Sequence, residues 1–116
     1  MTSENQDFEV WQGDDKQLRV SVTDPDTGDP KGLSGVGAIE WVLVDTDGSV
    51  LLSKTLSGGG ITVTDANGGV FTVTLDASDT AAIDPGYFRH EADVEDAAGD
   101  SVTVTVGTAQ VHESHV

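Results

Sequence analysis

The sequence contains no cysteine, and this absence excludes three kinds of chemistry. Disulfide bridges, thiolate nucleophiles and cysteine zinc sites all need a residue that the 116-residue chain lacks. Basic residues are scarce, since Lys and Arg together number five, so we expect no nucleic-acid partner bound through phosphates. No apolar run approaches the roughly 20 residues of a membrane span. Residues 1–7 lack the pattern of a signal peptide, so we expect no membrane partner and no secretion by that route.

Acid is what the sequence has in excess. Asp and Glu number 21 and give a formal net charge of -16. Such a charge pushes a compact domain apart in dilute buffer, whereas molar salt shortens the Debye length to about 3 Å and screens the repulsion. The composition resembles that of proteins from extremely halophilic archaea and their viruses. This resemblance implies adaptation to concentrated salt and says little about chemistry.

Apolar and polar residues alternate with a period of two in several short segments, which is typical of half-buried strands. Asp- and Gly-rich turns separate these segments, at 24–28, 45–48, 67–69 and 98–100. The pattern predicts an all-β fold, an antiparallel sandwich spanning residues 7–111, with tails at 1–6 and 112–116. One helical turn is expected from Ser78 to Ile83, capped by Ser78 and ended by Pro85. The strands are expected at about 8–12, 18–22, 38–44, 50–56, 61–63, 71–75, 87–94 and 102–111.

The order of several motifs resembles the immunoglobulin-like structural modules of tailed phages. The first half carries Gln12-Gly13-Asp14, an alternating strand, Asp26-x-Gly28-x-Pro30, Leu33-Ser34-Gly35 and the strand that contains Trp41; the second half continues with 60–65, 69–75, 84–90 and 97–99. Such modules occur in baseplate and tail proteins and in small stand-alone virion proteins. The resemblance implies a single immunoglobulin-like antiparallel β-sandwich of about 7–9 strands.

Individual residues in these motifs have expected places in a sandwich. We expect Trp41 at the centre of the core and Leu33 buried under a sheet edge. The motif Asp84-x-Gly86-Tyr87 resembles the tyrosine corner of sandwich folds, in which a tyrosine hydroxyl bonds to upstream backbone. Two departures from the resemblance are the missing cysteine pair and the missing helical extension for trimerisation. Oligomers would therefore form through the sandwich or its tails.

Two acidic turns resemble fragments of calcium loops, because hard cations need several oxygen ligands from one tight turn. The candidate ligands are Asp24, Asp26, Asp29, Asp45 and Asp47. Both turns lack the later bidentate Glu, so acidic turn residues in an acidic protein are the favoured interpretation, and we expect no cofactor and no firm metal site.

The histidines are also weak candidates for metal ligands. His90 shares strand parity with Phe88, so we expect a hydrogen-bonded, half-buried sheet residue, and His112-x-x-His115 lies in the expected tail. The sequence has no nucleophile elbow, no metalloprotease motif and no phosphate-binding glycine loop, so no catalytic residue is predicted and the chain is expected not to be an enzyme.

Phe8 and Trp11 form the one aromatic stripe that could be surplus to the core. They either dock on a neighbouring protein or pack against their own sheet, and the second is favoured. We keep both residues as interface candidates.

The favoured function is a non-enzymatic structural protein of a tailed haloarchaeal virus. It would decorate or link capsid, neck, tail or baseplate components, with other virion proteins as partners and a homo-oligomer or symmetric repeat as its state. Its location would be the virion, after synthesis in the host cytoplasm. The alternatives are an immunoglobulin-like adhesin or binding module of a haloarchaeal surface protein, and an acidic mimic of DNA.

Overall fold

A computed structural model describes residues 7–22, 29, 32–33, 35–95, 99 and 101–113, with residues 102–106 described by backbone alone. These described residues form eight strands. Each predicted strand is present, and its ends lie within two residues of the predicted ones. The all-β prediction is therefore confirmed. The strands are β1 (Phe8–Trp11), β2 (Lys16–Ser21), β3 (Ala38–Val44), β4 (Val50–Thr55), β5 (Ile61–Asp65), β6 (Val70–Leu75), β7 (Gly86–Glu95) and β8 (Ser101–His112).

The strands form two sheets with the orders β1-β8-β7-β3-β4 and β2-β6-β5. The second, fifth and sixth strands thus oppose the third, seventh and eighth, which is the distribution that defines an immunoglobulin sandwich. The immunoglobulin-like fold is therefore confirmed. One pair departs from the antiparallel expectation, because β1 runs parallel to β8, with Phe8 opposite Ala109 and Trp11 opposite His112.

The core lies between the two sheets and contains alternate residues of most of the described strands. Trp41, at the middle of β3, is fully buried, as the sequence predicts, and Leu33 is buried as well. The backbone N–H of Leu33 donates to the Ala66 carbonyl at 2.8 Å, which links Leu33 to the turn between β5 and β6. Aliphatic residues with Phe71 complete the core: Val10, Leu18, Val20, Val22, Ile39, Leu43, Ile61, Val73, Leu75, Ile83, Ala92, Val94, Ala109 and Val111.

The single helical turn, α1 (Ala77–Ala81), begins earlier than the sequence suggests. Its N-cap is Asp76, so the predicted cap at Ser78 is wrong. The Asp76 N–H donates to Asp79 Oδ2 at 2.9 Å, and the Ala77 N–H donates to Asp15 Oδ1 at 2.7 Å. Carboxylates thus accept the first free amides of the turn. One of these carboxylates, that of Asp15, belongs to the distant loop between β1 and β2, so the local sequence pattern could not reveal the contact.

The predicted tails are only partly within the described residues. Residues 1–6 and 114–116 lie outside them, whereas β8 continues to His112, one residue beyond the boundary placed at 111. No helix in the described part of the chain is both long and apolar enough to cross a membrane.

Candidate aromatic interface

Strand parity brings exposed aromatic side chains to one end of the outer surface of the five-stranded sheet. On β7, Phe88 and His90 face the core, so Tyr87 and Arg89 face outward. On β1, Val10 faces the core and Trp11 faces outward. Trp11 is 45% exposed and Tyr87 is 65% exposed, in a molecule whose other large aromatic side chains are buried or half-buried. We call this surface, with Glu9, Gln110 and His112 between them, the aromatic face.

The indole of Trp11 is held in a fixed plane. The Trp11 and His112 rings stack with centroids 4.2 Å apart and an interplanar angle of 25°. Glu9 Oε2 lies 3.0 Å from His112 Nε2, and because a carboxylate only accepts, the imidazole nitrogen donates this bond. The strand register also fixes the pair, since Trp11 lies directly opposite His112. The exposed ring is therefore ordered before any partner arrives.

Tyr87 lies across the sheet from this stack. It is opposite Gln110 on β8, and Gln110 is in turn opposite Glu9 on β1, so the three residues form one row across three strands. Strand spacing of about 4.8 Å places Tyr87 and Trp11 roughly 12 Å apart, measured at their Cα atoms. A shallow groove of ≈350 Å³ lies beside the row and is lined by Asp7, Phe8, Glu9, Tyr87, Thr108 and Gln110.

The rim of the groove is acidic, while one cation lies nearby. The carboxylates come from Asp7, just before β1, and from Glu9 on β1. The Thr108 N–H donates to Asp7 Oδ1 at 2.8 Å. Arg89, exposed on the same face, lies opposite Thr108 on β8 and opposite Val44 on β3. The face thus combines aromatic area with the carboxylates of Asp7 and Glu9 and the guanidinium of Arg89.

The two predicted interface residues, Phe8 and Trp11, lie in different environments. Phe8 is half-buried against the core, and its ring meets that of His90 edge-on, with centroids 4.9 Å apart. Phe8 also lines the groove, but its main role is packing. Trp11 is the member that stays on the surface, and its docking role stays a prediction.

His90 is a core residue and is more deeply buried than expected. Only 2% of it is exposed, and Trp41 Nε1–H donates to its Nδ1 at 3.1 Å. Because the indole nitrogen can only donate, this bond fixes the neutral imidazole with its proton on Nε2. The predicted hydrogen bond is confirmed, while the half-buried environment is wrong because the rings of Phe8 and Trp41 pack against the imidazole.

The calcium candidates do not converge within the described residues. Asp45 Oδ1 accepts the N–H groups of Asp47 and Ser49 at 2.9 and 3.0 Å, so this carboxylate stabilises the turn between β3 and β4. Asp29 and Asp47 are exposed, and Asp24 and Asp26 lie outside the described residues. In the part of the chain that the structure describes, no three Asp, Glu or His side chains form a group able to hold a metal ion.

One ion pair joins α1 to the edge strand β4. Lys54 Nζ lies 2.7 Å from Asp79 Oδ2, with both side chains less than one fifth exposed. Burial raises the pKa of Asp79. Hydrogen bonds from Lys54 and the Asp76 N–H, together with the Lys54 charge, lower it by more than burial raises it, so the pKa lies below the ordinary 3.8.

The sequence analysis did not identify Tyr87 and His112 as residues of the aromatic face. The tyrosine-corner prediction is wrong, because Tyr87 points away from the core and is mostly exposed. The signal was available: once His90 is placed facing inward, alternation puts Tyr87 outward. His112 was assigned to a tail, and its stack on Trp11 depends on the parallel pairing of β1 and β8, which the sequence does not reveal.

Comparisons with known proteins add little to these observations. No family model matches the sequence, and no curated protein matches it. CopC from Methylosinus trichosporium OB3b aligns with a TM-score of 0.49 and 15% identity, over 99% of this chain and 91% of that one. Murine CRIg aligns with a TM-score of 0.42 and 13% identity, over 91% and 92% of the two chains.

Proposed function

We propose that this chain is a non-enzymatic virion structural protein of a tailed virus of halophilic archaea, and that it attaches to a neighbouring virion protein through the aromatic face. The observation that carries the proposal is the joint exposure of Trp11 and Tyr87 around one groove on ordered strands. Trp and Tyr are the residues most enriched among those that dominate binding energy at protein interfaces. Aromatic residues whose only role was core packing would be buried, and Trp11 and Tyr87 are exposed.

The aromatic face is suited to binding because it is already ordered. Trp11 is fixed by the His112 stack, and the backbone of Tyr87 lies near the start of the long strand β7. Immobilising a flexible side chain at an interface costs about 0.5–1.5 kcal/mol, and the stacked Trp11 ring avoids much of that cost. Apolar area covered here therefore contributes to affinity with little ordering penalty.

Charge indicates the chemistry of the partner. Asp7 and Glu9 line the groove of a chain whose net charge is -16. A partner surface that presents Arg or Lys beside an apolar side chain would pair with these carboxylates and could place a cation over the Trp11 or Tyr87 ring. We therefore propose a basic and partly apolar protein surface as the occupant.

The non-enzymatic assignment is supported by what the polar side chains do. His90 accepts a bond from Trp41 inside the core, and Asp45 holds a turn. Thr80 Oγ1 accepts the Gly13 N–H at 3.0 Å and donates to the Asp14 carbonyl at 2.8 Å, tying α1 to the loop after β1. Groups that could have served chemistry serve the fold instead.

The viral part of the proposal is supported by the ordered motif resemblance over most of the chain and by the acidic composition. In a symmetric shell, neck, tail or baseplate, each copy needs only a modest interface, because repeated attachment multiplies affinity.

Quantitative mass spectrometry of purified haloarchaeal virus particles tests the assignment. We expect tens to hundreds of copies per particle. Zero-length carbodiimide coupling of the same particles joins touching carboxylates and amines, and we expect it to link Asp7 or Glu9 to a lysine of another virion protein. Recovery of the chain only in host envelope fractions would instead favour the adhesin-like module.

Matched variants locate the attachment surface. Trp11→Ala and Tyr87→Ala should each reduce the copies retained on particles at least tenfold, since truncating a dominant interface residue costs about 2 kcal/mol or more. Ser21→Ala, an exposed change on the opposite sheet, is the control and should leave retention unchanged. Equal retention of all three variants would place the interface elsewhere.

A further inference from the structure

The outer surface of the five-stranded sheet is apolar at one corner, where β3 and β4 lie side by side. Residues 41–44 of β3 and residues 50–52 of β4 are uninterrupted apolar runs. Leu43 faces the core, so alternation turns Val42 and Val44 to the outer surface. Apolar residues on both faces of a strand are typical of sheets that are covered on both sides. The two runs therefore indicate that a further element covers the outer surface here.

Two exposed side chains enlarge this apolar corner. Val50 lies opposite Val44 and is 59% exposed, and a shift in register leaves Leu51 as an extra residue beside it, 43% exposed. Bulges prevent another strand from pairing with an edge. The β4 edge is further occupied by the bridge from Thr55 to Gly60. A covering element must therefore lie on the face of the sheet, because the edge does not accept another strand.

The strand register places Trp11, Tyr87 and Val50 on one diagonal across the outer surface. Their strands, β1, β7 and β4, alternate with β8 and β3 in the sheet. Each of the three lies two residues further along the strands than the one before, at the levels of His112, Gln110 and Thr108 on β8. Strand spacing of about 4.8 Å and a rise of about 3.3 Å per residue put neighbouring members roughly 12 Å apart at their Cα atoms. The whole diagonal is therefore about 23 Å long.

The same diagonal collects the large hydrophobic side chains that stay exposed. In the part of the chain that the structure describes, these are Trp11, Tyr87, Val50 and Leu51. Val44 lies beside them and is half-buried. We call these five residues the diagonal band. Single exposed apolar residues are ordinary on a protein surface, whereas several gathered on one face indicate an interaction surface.

The margins of the diagonal band are acidic. Glu9 lies beside its β1 end, and Glu91, opposite Val42, lies beside the apolar corner; both carboxylates are exposed. Asp47 is exposed in the turn between β3 and β4. Arg89 adds one positive charge on β7, in a chain whose net charge is -16. These margins attract an element that carries Lys or Arg on either side of its apolar residues.

We propose that one basic, amphipathic helix of the partner protein lies along the diagonal band and covers it from Trp11 to Leu51. The proposal rests on the attachment proposed above for the aromatic face, and it adds the second half of the contact and the form of the occupant. A helix satisfies its own backbone hydrogen bonds, so it can cross the face of a sheet. An extended segment in the same place would leave its amides unpaired.

The spacing of the diagonal band fits such a helix. Residues seven or eight apart lie on the same side of a helix, about 11 Å apart along its axis. Three apolar residues with this repeat reach Trp11, Tyr87 and Val50, so a helix of about 16 residues spans the band. Lys and Arg side chains on the flanks of the helix would meet Glu9 and Glu91.

Hydroxyl-radical footprinting measures how far the contact extends. The chain in its native fraction, virus particles or host envelope, is compared with the isolated chain, both in molar KCl. We expect four side chains to lose most of their reactivity together in the native fraction: Trp11, Tyr87, Val50 and Leu51. Arg19, exposed on the other sheet, is the control and should keep its reactivity. Protection of the two aromatic residues alone would overturn the band and leave the aromatic face standing, whereas unchanged reactivity of all four would overturn both.

A matched pair of substitutions tests the β4 end of the band. Val50→Lys and Thr62→Lys each add one positive charge at an exposed position of an edge strand, the second on the other sheet. We expect Val50→Lys to reduce retention in the native fraction by about tenfold or more, because it places a charge against an apolar and basic surface. Thr62→Lys should leave retention unchanged. Equal retention of these two variants, while Trp11→Ala is lost, would refute the extension to β4 alone.

Carbodiimide coupling in the native fraction identifies the occupant. We expect Glu9 and Glu91 to be linked to lysines of one partner protein, within about 16 residues of each other in its sequence. Links from both carboxylates to another copy of this chain would show a contact between copies and overturn the proposal. Links to two different proteins would show that no single helix spans the band.

Discussion

Replacing His90 by Leu tests the buried hydrogen bond between the two central residues of the core. The change removes the acceptor for Trp41 Nε1–H, and both residues are at most 2% exposed. A buried donor left without a partner costs about 1–3 kcal/mol. At about 4 °C per kcal/mol for a domain of this size, the melting temperature should fall by roughly 4–12 °C.

A double-mutant cycle separates the hydrogen bond from packing. Trp41→Phe removes the donor and also leaves a cavity, so its own cost is larger than that of the bond. In the double variant Trp41→Phe/His90→Leu neither buried polar group remains. The sum of the two single losses should therefore exceed the loss in the double variant by about 1–2 kcal/mol.

Urea unfolding in molar KCl is the suitable assay, because guanidinium is itself a salt and would screen the charge of the chain during the titration. Strict additivity of the two changes would show that the bond contributes nothing beyond packing. A His90→Leu variant as stable as the unaltered chain would refute the reasoning outright.

The melting temperature of the unaltered chain should rise between about 0.01 M and 1 M KCl, as the Debye length falls from about 30 Å to 3 Å, and equal values would refute salt adaptation. Lys54→Met should cost up to about 1 kcal/mol at neutral pH. Because the folded pKa of Asp79 is lowered, its contribution is present above the ordinary 3.8 and lost as the pH falls through the folded value, so unfolding curves of the two proteins should converge in acid. Trp11→Ala should lower stability by no more than about 1.5 kcal/mol, as the stacked ring is half exposed.

Most of the fold follows from the sequence because burial alternates along most of the strands. The period of two places Trp41 in the core and locates all eight strands, and acidic turns mark their ends. The start of α1 could not be found in this way. Its cap depends on Asp76, but its first amide is accepted by Asp15, more than sixty residues earlier in the chain.

The aromatic face was only half predictable for a similar reason. Local alternation separates Phe8 from Trp11 and Tyr87 from Phe88, but it does not say which strands become neighbours. His112 joins Trp11 because the first and last strands pair side by side. A contact between residues about one hundred positions apart leaves no local pattern that a single sequence can show.

The parallel pairing of β1 with β8 has a mechanical consequence. If the chain is pulled at Phe8 and His112, the two strands are drawn in opposite directions along their own length. The ladder from Phe8–Ala109 to Trp11–His112 is then loaded in shear, so its hydrogen bonds bear the force together and cannot open one after another. Antiparallel strands joined by a hairpin would unzip under the same pull. A module built in this way resists tension applied through its first and last strands.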